Sequence, residues 1–194
     1  SHGSQLITGM NALESFPEFG NRYAWVNSLD QNQNQLNLRD HGIPGVEGVF
    51  RAPDLSQGDR IVPGTDDDTP WMVMTREFLK ENDDVNVIMW SWCSINNHDI
   101  DLYLTNMEKL VAEFGPGGSH ERAATNPVSF VFMTGHAQGQ GENGFINNAN
   151  EQIRQHVRDH NRILFDFADI EAYNPAGEYF WDRPLWDNLD YTTD

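Results

Sequence analysis

NVIMWSW, at residues 86–92 and entered through Val85, is the clearest strand in the chain. The run is apolar nearly throughout, as expected of a parallel strand covered on both faces. A helix over 98–114 follows it. Ile100, Tyr103, Leu104, Met107, Leu110, Val111 and Phe114 make one apolar stripe, with Asp99, Asp101, Glu108 and Lys109 on the exposed side. GPGG then stops the helix. VSFVFM at 128–133 reads as the next strand, NNANEQIRQHVRDH at 147–160 as the next helix, and ILFDF at 163–167 as the last clear strand. Crossovers of this length between strands favour parallel pairing. The pattern therefore predicts an α/β fold, a three-layer doubly wound parallel sheet.

Upstream, QLITGMNALESF at 5–16 predicts a helix through Ile7, Met10, Leu13 and Phe16. YAWVNS at 23–28 reads as a short strand and WMVMTREFLKE at 71–81 as a helix. Between them, Leu29 to Pro70 is polar and turn-rich. It is long for a structureless loop, so it is expected to carry short elements or to line a site. A doubly wound domain normally opens with a central strand. SHGSQLITG instead reads as the loop-to-helix passage that follows one, so the first central strand is expected to be absent from this chain. The alternative reading of SHGS is a tag remnant.

The 194 residues suit a single domain over 1–194, and 38% hydrophobic content sustains one core. The net charge is −18, from 30 acidic and 12 basic residues. Such a surface repels phosphate backbones, so no nucleic-acid partner is expected; solubility or an extracellular, salty setting accounts for the acidity. Nothing approaches eighteen consecutive apolar residues, so no membrane span is expected. The lone Cys93 excludes an internal disulfide framework.

Ligands of open parallel sheets bind outside the carboxyl ends of the strands. The N-terminal segment would deliver Ser1, His2 and Ser4 there. The 86–92 strand would deliver Ser91, Cys93, Ser94, Asn96, Asn97, His98 and Asp99, and the 128–133 strand Thr134, Gly135, His136, Gln138 and Glu142. The last strand would deliver Asp166, Asp169 and Glu171. His136 lies in TGHAQGQGENG, where glycines let the backbone bend closely round a ligand. It is the candidate general base or oxyanion donor; a structural histidine is the alternative. The glycine run lacks the phosphate-loop pattern. Ser1 and Ser4 are candidate nucleophiles, with Ser4 equally readable as a helix N-cap. Cys93 reads as an inert thiol or as a thiolate paired with His136 or His98. Asp166 or Asp169 would orient His136, while Asp169 or Glu171 would alternatively cap the following turn. Paired carboxylates among Asp99, Glu142, Asp166, Asp169 and Glu171 would suit glycoside cleavage. His98-Asp99 and His156 with His160 make no closed ligand set, so no metal and no cofactor are expected.

SHGSQLITGM, VIMWSWCS, FVFMTGHAQG, NEQIR and ILFDFADIEAYNP together resemble a group of bacterial, mostly secreted proteins that is similar to the SGNH/GDSL hydrolase superfamily. The likeness covers most of residues 1–182. It implies a flavodoxin-like sandwich with a parallel sheet of about five strands and a secreted, extracellular location. Ser1 would match the superfamily's nucleophile, Gly3 its neighbouring glycine, and Asn96 or Asn97 its oxyanion asparagine. The superfamily's late D-x-x-H motif has no counterpart, because DFADIEAY is followed by no histidine. A set of Ser1, His136 and Asp166 or Asp169 is thus a geometric expectation. Gly3, Cys93, Asn96, Asn97, Gln138 and Glu142 would bind substrate or an oxyanion.

The leading expectation is an ester or acyl hydrolase acting on a small molecule or a carbohydrate such as decorated polysaccharide, by serine nucleophile and histidine base. The alternatives are a non-catalytic carbohydrate-binding or surface interaction module and a carboxylate-based glycoside hydrolase or lyase.

Overall fold

The structure, a computed structural model, describes residues 2–27, 35–57, 59–136, 143–174 and 176–178. The chain forms two compact units, Ser1–Pro44 and Gly45–Asp194.

In the first unit, helix α1 spans His2–Leu13. It begins earlier and ends earlier than the 5–16 pattern predicts, and Phe16 falls in a turn beyond it, half-exposed. Strands β1, Trp25–Val26, and β2, Leu36–Asn37, pair in parallel. The indole N–H of Trp25 donates to Asn11 Oδ1 at 2.7 Å, pinning β1 to α1.

The second unit runs through α2 (Pro70–Glu81), β3 (Val87–Met89), α3 (Ile100–Phe114), β4 (Ser129–Met133), α4 (Phe145–Asp159), β5 (Ile163–Phe165) and the short α5 (Phe167–Ala172). The strands lie in the order β3-β4-β5 and all pairings are parallel. Each predicted element of this unit is present, with ends unchanged or moved by up to three residues, as fraying and tertiary packing commonly do. The chain is a mixed α/β protein built on parallel sheets, consistent with a doubly wound architecture. No helix among the described residues is long and apolar enough to cross a membrane.

One expectation is corrected. The 86–92 run suggested a strand covered on both faces, but Val87 and Met89 are 52% and 41% exposed while Ile88 is 6% exposed. The reason is that α2, α3 and α4 pack on the Ile88 face. There, Tyr103 of α3 sets its ring against Phe132 of β4, against Trp71 of α2 and against Trp92 beyond β3, at centroid separations of 6.2, 5.9 and 5.1 Å. Trp71 and Trp92 are fully buried, and each such side chain contributes roughly 2–3 kcal/mol by burial. Their polar atoms are used. Trp90 Nε1 donates to Thr75 Oγ1 at 2.8 Å, and Trp92 Nε1 donates to the Met133 carbonyl at 3.0 Å. Burial pushes the Tyr103 phenol well above its ordinary value, so it stays neutral while accepting from the Met133 amide.

The amino ends of β3 and β4 are gathered on one side chain. Arg122, on the 3₁₀ turn Glu121–Ala124, is 4% exposed. Its guanidinium donates to the carbonyls of Leu79, Asn82, Asp83, Val85 and Asn126. Those carbonyls include the orphan acceptors at the end of α2, where a positive charge also meets the helix dipole. Arg122→Met removes a donor from five carbonyls, of which those of Asn82 and Asp83 keep a second partner in the Val85 amide and the Asn126 side chain. Unsatisfied buried groups cost about 1–3 kcal/mol each, with partial relief from water. The variant should lose about 3–5 kcal/mol in urea denaturation, and Arg122→Lys should recover less than half of that.

The acidic run Asp66–Asp68 is neutralised at Asp68. Asp68 meets Arg76 at 2.5 Å and Lys109 at 2.9 Å, and Arg76 also bonds Glu113 on α3. Burial would raise the Asp68 carboxyl, but Arg76 and Lys109 outweigh it and hold the group below the ordinary carboxylate value. Glu108 is likewise lowered: burial opposes the shift, and Arg162 and His156 impose it. A depressed folded-state value means stability that is present above the unfolded value of about 4 and lost as pH falls through the folded one. The urea midpoint should therefore hold steady from pH 7 to 5 and drop as the pH falls below about 4. Asp68→Asn should flatten part of that drop while lowering the plateau.

Candidate functional site

The carboxyl ends of β3, β4 and β5 are held by a set of side-chain clamps. After β4, the Thr134 hydroxyl donates to Asp166 Oδ1 at 3.0 Å and accepts from the Ala168 amide, also at 3.0 Å. Arg154 grips both oxygens of Asp166, Nε to Oδ2 at 2.7 Å and a terminal nitrogen to Oδ1 at 2.8 Å. The Asp169 amide donates to Asp166 as well, so Asp166 caps α5. Burial works against ionisation of Asp166, but Arg154 and Thr134 overcome it and hold the carboxyl below its usual range. One residue further on, Gly135 is paired by a side chain. Its amide donates to Asn150 Oδ1 at 2.8 Å, and Asn150 Nδ2 returns a bond to its carbonyl at 3.3 Å.

Gly135 is also where the loops after β3 and β4 touch. A Cβ there would lie 2.6 Å from both Cδ1 and Cγ1 of Ile95, which is fully buried. Gly135→Ala should cost about 1–3 kcal/mol by overpacking. It should also displace the loops carrying Ile95 and His136, which amide exchange of residues 93–98 and 134–136 would register as faster local opening.

The loop after β3 is fastened to a segment of the long polar stretch. The 3₁₀ turn Leu55–Gln57 docks there, with the Leu55 side chain fully buried and its amide donating to the Ser91 carbonyl at 3.0 Å. The Cys93 and Ser94 amides donate to Ser56 Oγ at 2.8 and 2.7 Å. Finally, His98 Nδ1 lies 2.8 Å from Asp59 Oδ2. The His98 ring stands against Trp92 at 5.6 Å, and Trp92 is itself a fixed post in the core. Among the described residues, no Lys or Arg pairs with Asp59, and no hydrogen-bond partner meets His98 Nε2.

The other histidines contrast with this one. His156 bonds Glu108 at 2.9 Å, but Arg162 already occupies that carboxylate, and the His156 ring is stacked on His160 at 4.0 Å. His120 caps the 3₁₀ turn beside Phe114. In the first unit, His41 Nδ1 lies 3.0 Å from Asp40, whose other oxygen accepts from Ser4 Oγ at 3.4 Å. That order puts the carboxylate between serine and imidazole, so His41 does not receive the serine proton. His136 is half-buried after β4.

The sequence-predicted residues are distributed as follows. Gly3 and Ser4 are helical within α1, so Ser4 is not its N-cap. Cys93, Asn96 and Asn97 lie together in the loop after β3, all exposed, with Asn97 in the left-handed region at φ 54°. Asp166 has Arg154, Thr134 and the Asp169 amide as its partners, and the Asp169 side chain is exposed. Asp99 caps α3 through the Leu102 amide. Ser1, Gln138 and Glu142 lie outside the described residues. No group of three or more His, Cys, Asp or Glu side chains is placed to share a metal among the described residues. Ser56 and Asp59 were not singled out by sequence reading. The only signals for them were the site-lining expectation for 29–70 and the Asp54-Leu55-Ser56 spelling of a side-chain-stabilised turn, in which the Ser56 amide donates to Asp54 Oδ1 at 2.7 Å.

Two open clefts lie elsewhere. One is in the first unit, about 330 Å³, bounded by Met10, Arg22, Tyr23 and Leu36. The other, about 560 Å³, follows the α3–α4 groove by Leu104, Glu108 and His156. Neither is lined by the loops at the carboxyl ends of β3, β4 and β5, so the polar geometry rather than cavity size singles out the Asp59–His98 region. No family model, curated protein or solved structure matches the chain.

Proposed function

We propose that the protein is an ester or acyl hydrolase in which His98 is the general base and Asp59 holds its ring. The observation that carries this reading is the Asp59–His98 pair at the carboxyl end of a parallel strand. A carboxylate on Nδ1 fixes the tautomer that leaves Nε2 able to accept a proton, and it faces the charge the ring then acquires. The Cys93 and Ser94 amides of the same loop, which donate to Ser56 Oγ, are the candidate donors for a developing oxyanion. The substrate class is a small ester or an acyl-decorated carbohydrate, since the acidic surface disfavours polyanions.

The same reading takes the second unit as part of a flavodoxin-like sheet of the SGNH type. Support comes from three parallel strands in sequential order with helical crossovers. It also comes from the gathering of polar residues at their carboxyl ends.

Hydrolysis of an aryl acetate, followed as released phenol, tests the proposal. Wild-type kcat/KM should exceed that of His98→Gln by about 10²-fold or more, and Asp59→Asn should fall between them. Equal rates in wild type and His98→Gln, with both folded by circular dichroism, would remove His98 from the chemistry.

A further inference from the structure

The structure assigns a nucleophile for this reaction: we infer that Ser56 attacks the acyl carbon, completing a set with His98 and Asp59. The inference rests on the hydrolase reading above. Ser56 Oγ accepts two backbone amides, from Cys93 at 2.8 Å and Ser94 at 2.7 Å. Two N–H donors on one oxygen favour its charged form over its neutral form. Among the described residues, the Ser56 hydroxyl proton meets no acceptor. A serine serving only as a tie between loops would gain from spending that proton on a carbonyl.

The same two loops carry the rest of the set. Ser56 and Asp59 come from 54–59, and the two amides and His98 come from 93–98. They are joined at Leu55–Ser91, at Ser56 and at Asp59–His98. No Ser56–His98 hydrogen bond is made in this conformation; such bonds are often long in a free enzyme and tighten with substrate.

Ser56 Oγ bonds to the ester carbonyl carbon while its proton passes to His98 Nε2. The carbonyl π pair moves to oxygen. Oγ, now bonded to carbon, becomes a poor acceptor, so the Cys93 and Ser94 amides are released to the new oxyanion. Collapse breaks the bond to the leaving alkoxide, which takes the proton from His98. Water then attacks the acyl-serine, gives its proton to His98, and the acid leaves as Oγ regains that proton.

Fluorophosphonate labelling with peptide mapping tests the assignment. The label should fall on Ser56 and be lost in Ser56→Ala and in His98→Gln, with Ser56→Ala lowering ester turnover roughly 1,000-fold. Label on another serine, with turnover retained in Ser56→Ala, overturns the Ser56 assignment and leaves the hydrolase reading standing. Absence of both label and turnover in the wild type removes the hydrolase reading and this inference with it. A second measurement does not need turnover. In Ser56→Cys with Cys93→Ala, the single thiol should be alkylated by iodoacetamide about tenfold faster than free cysteine, and adding His98→Gln should abolish the excess. A rate indifferent to His98 overturns the inference.

Discussion

A single buried guanidinium holds one end of the second unit's sheet in place. Arg122 reaches the last turn of α2, the 82–85 turn and the approach to β4 at once. None of those acceptors is a carboxylate. Its charge is balanced by carbonyl dipoles, which carry geometric demands because each bond weakens steeply as it bends. The consequence is a fixed entry for β3 and β4, confirmed by the Ser129 amide donating to the Asn86 carbonyl at 2.9 Å. With entry and register fixed there, the carboxyl ends arrive at set positions. Packing of Trp71, Trp92, Tyr103 and Phe132 then carries that order through the sheet to the loops beyond.

At the carboxyl ends the fastening changes character. Core aromatics stop at Trp92, and polar clamps take over: Asn150 on Gly135, Thr134 and Arg154 on Asp166, Ser56 on the 93–94 amides. These bonds immobilise backbone that has no ladder partner, which loops near the surface must otherwise leave to water. The acidic excess of the chain is partly consumed in the same way. Asp68, Glu108 and Asp166 are each met by a cation or two, and all three are held ionised despite burial. Asp59 differs from them in having an imidazole and no guanidinium or ammonium group as its side-chain partner among the described residues.

How far the sequence could be read follows from what kind of interaction sets each feature. Helices α3 and α4 were legible because their apolar positions recur at helical spacing and nothing nonlocal is needed to see it. The strand centres at Ile88, Phe130 and Leu164 were legible for the same local reason. Coverage of both faces was not, since an apolar run cannot report whether helices pack on one side or two. Ser56 and Asp59 were invisible because each acts across more than thirty-five residues, from a stretch with no periodicity. Asp166 stood out in DFAD, yet its partner Arg154 is a charged residue on α4, and spacing alone does not match a helix residue to a strand end.

The choice between the two acid–histidine readings turns on what each carboxylate is already doing. An aspartate can steer an imidazole only with a lone pair directed at Nδ1 and a charge not already neutralised. Asp166 has both oxygens engaged by Arg154, Thr134 and an amide, so recruiting it would break a charge-assisted pair, and hydrogen bonds to charged groups are worth about 1.5–3 kcal/mol. Glu108 is in the same condition through Arg162, which makes His156 a member of a structural network. Asp59 needs no such rearrangement. Its oxygen already faces His98, no cation among the described residues competes for it, and Trp92 fixes the ring from the other side. A pair that is poised before substrate arrives requires less reorganisation during a reaction than one that must first be freed, and that difference is the ground for placing the proposed chemistry in the loop after β3.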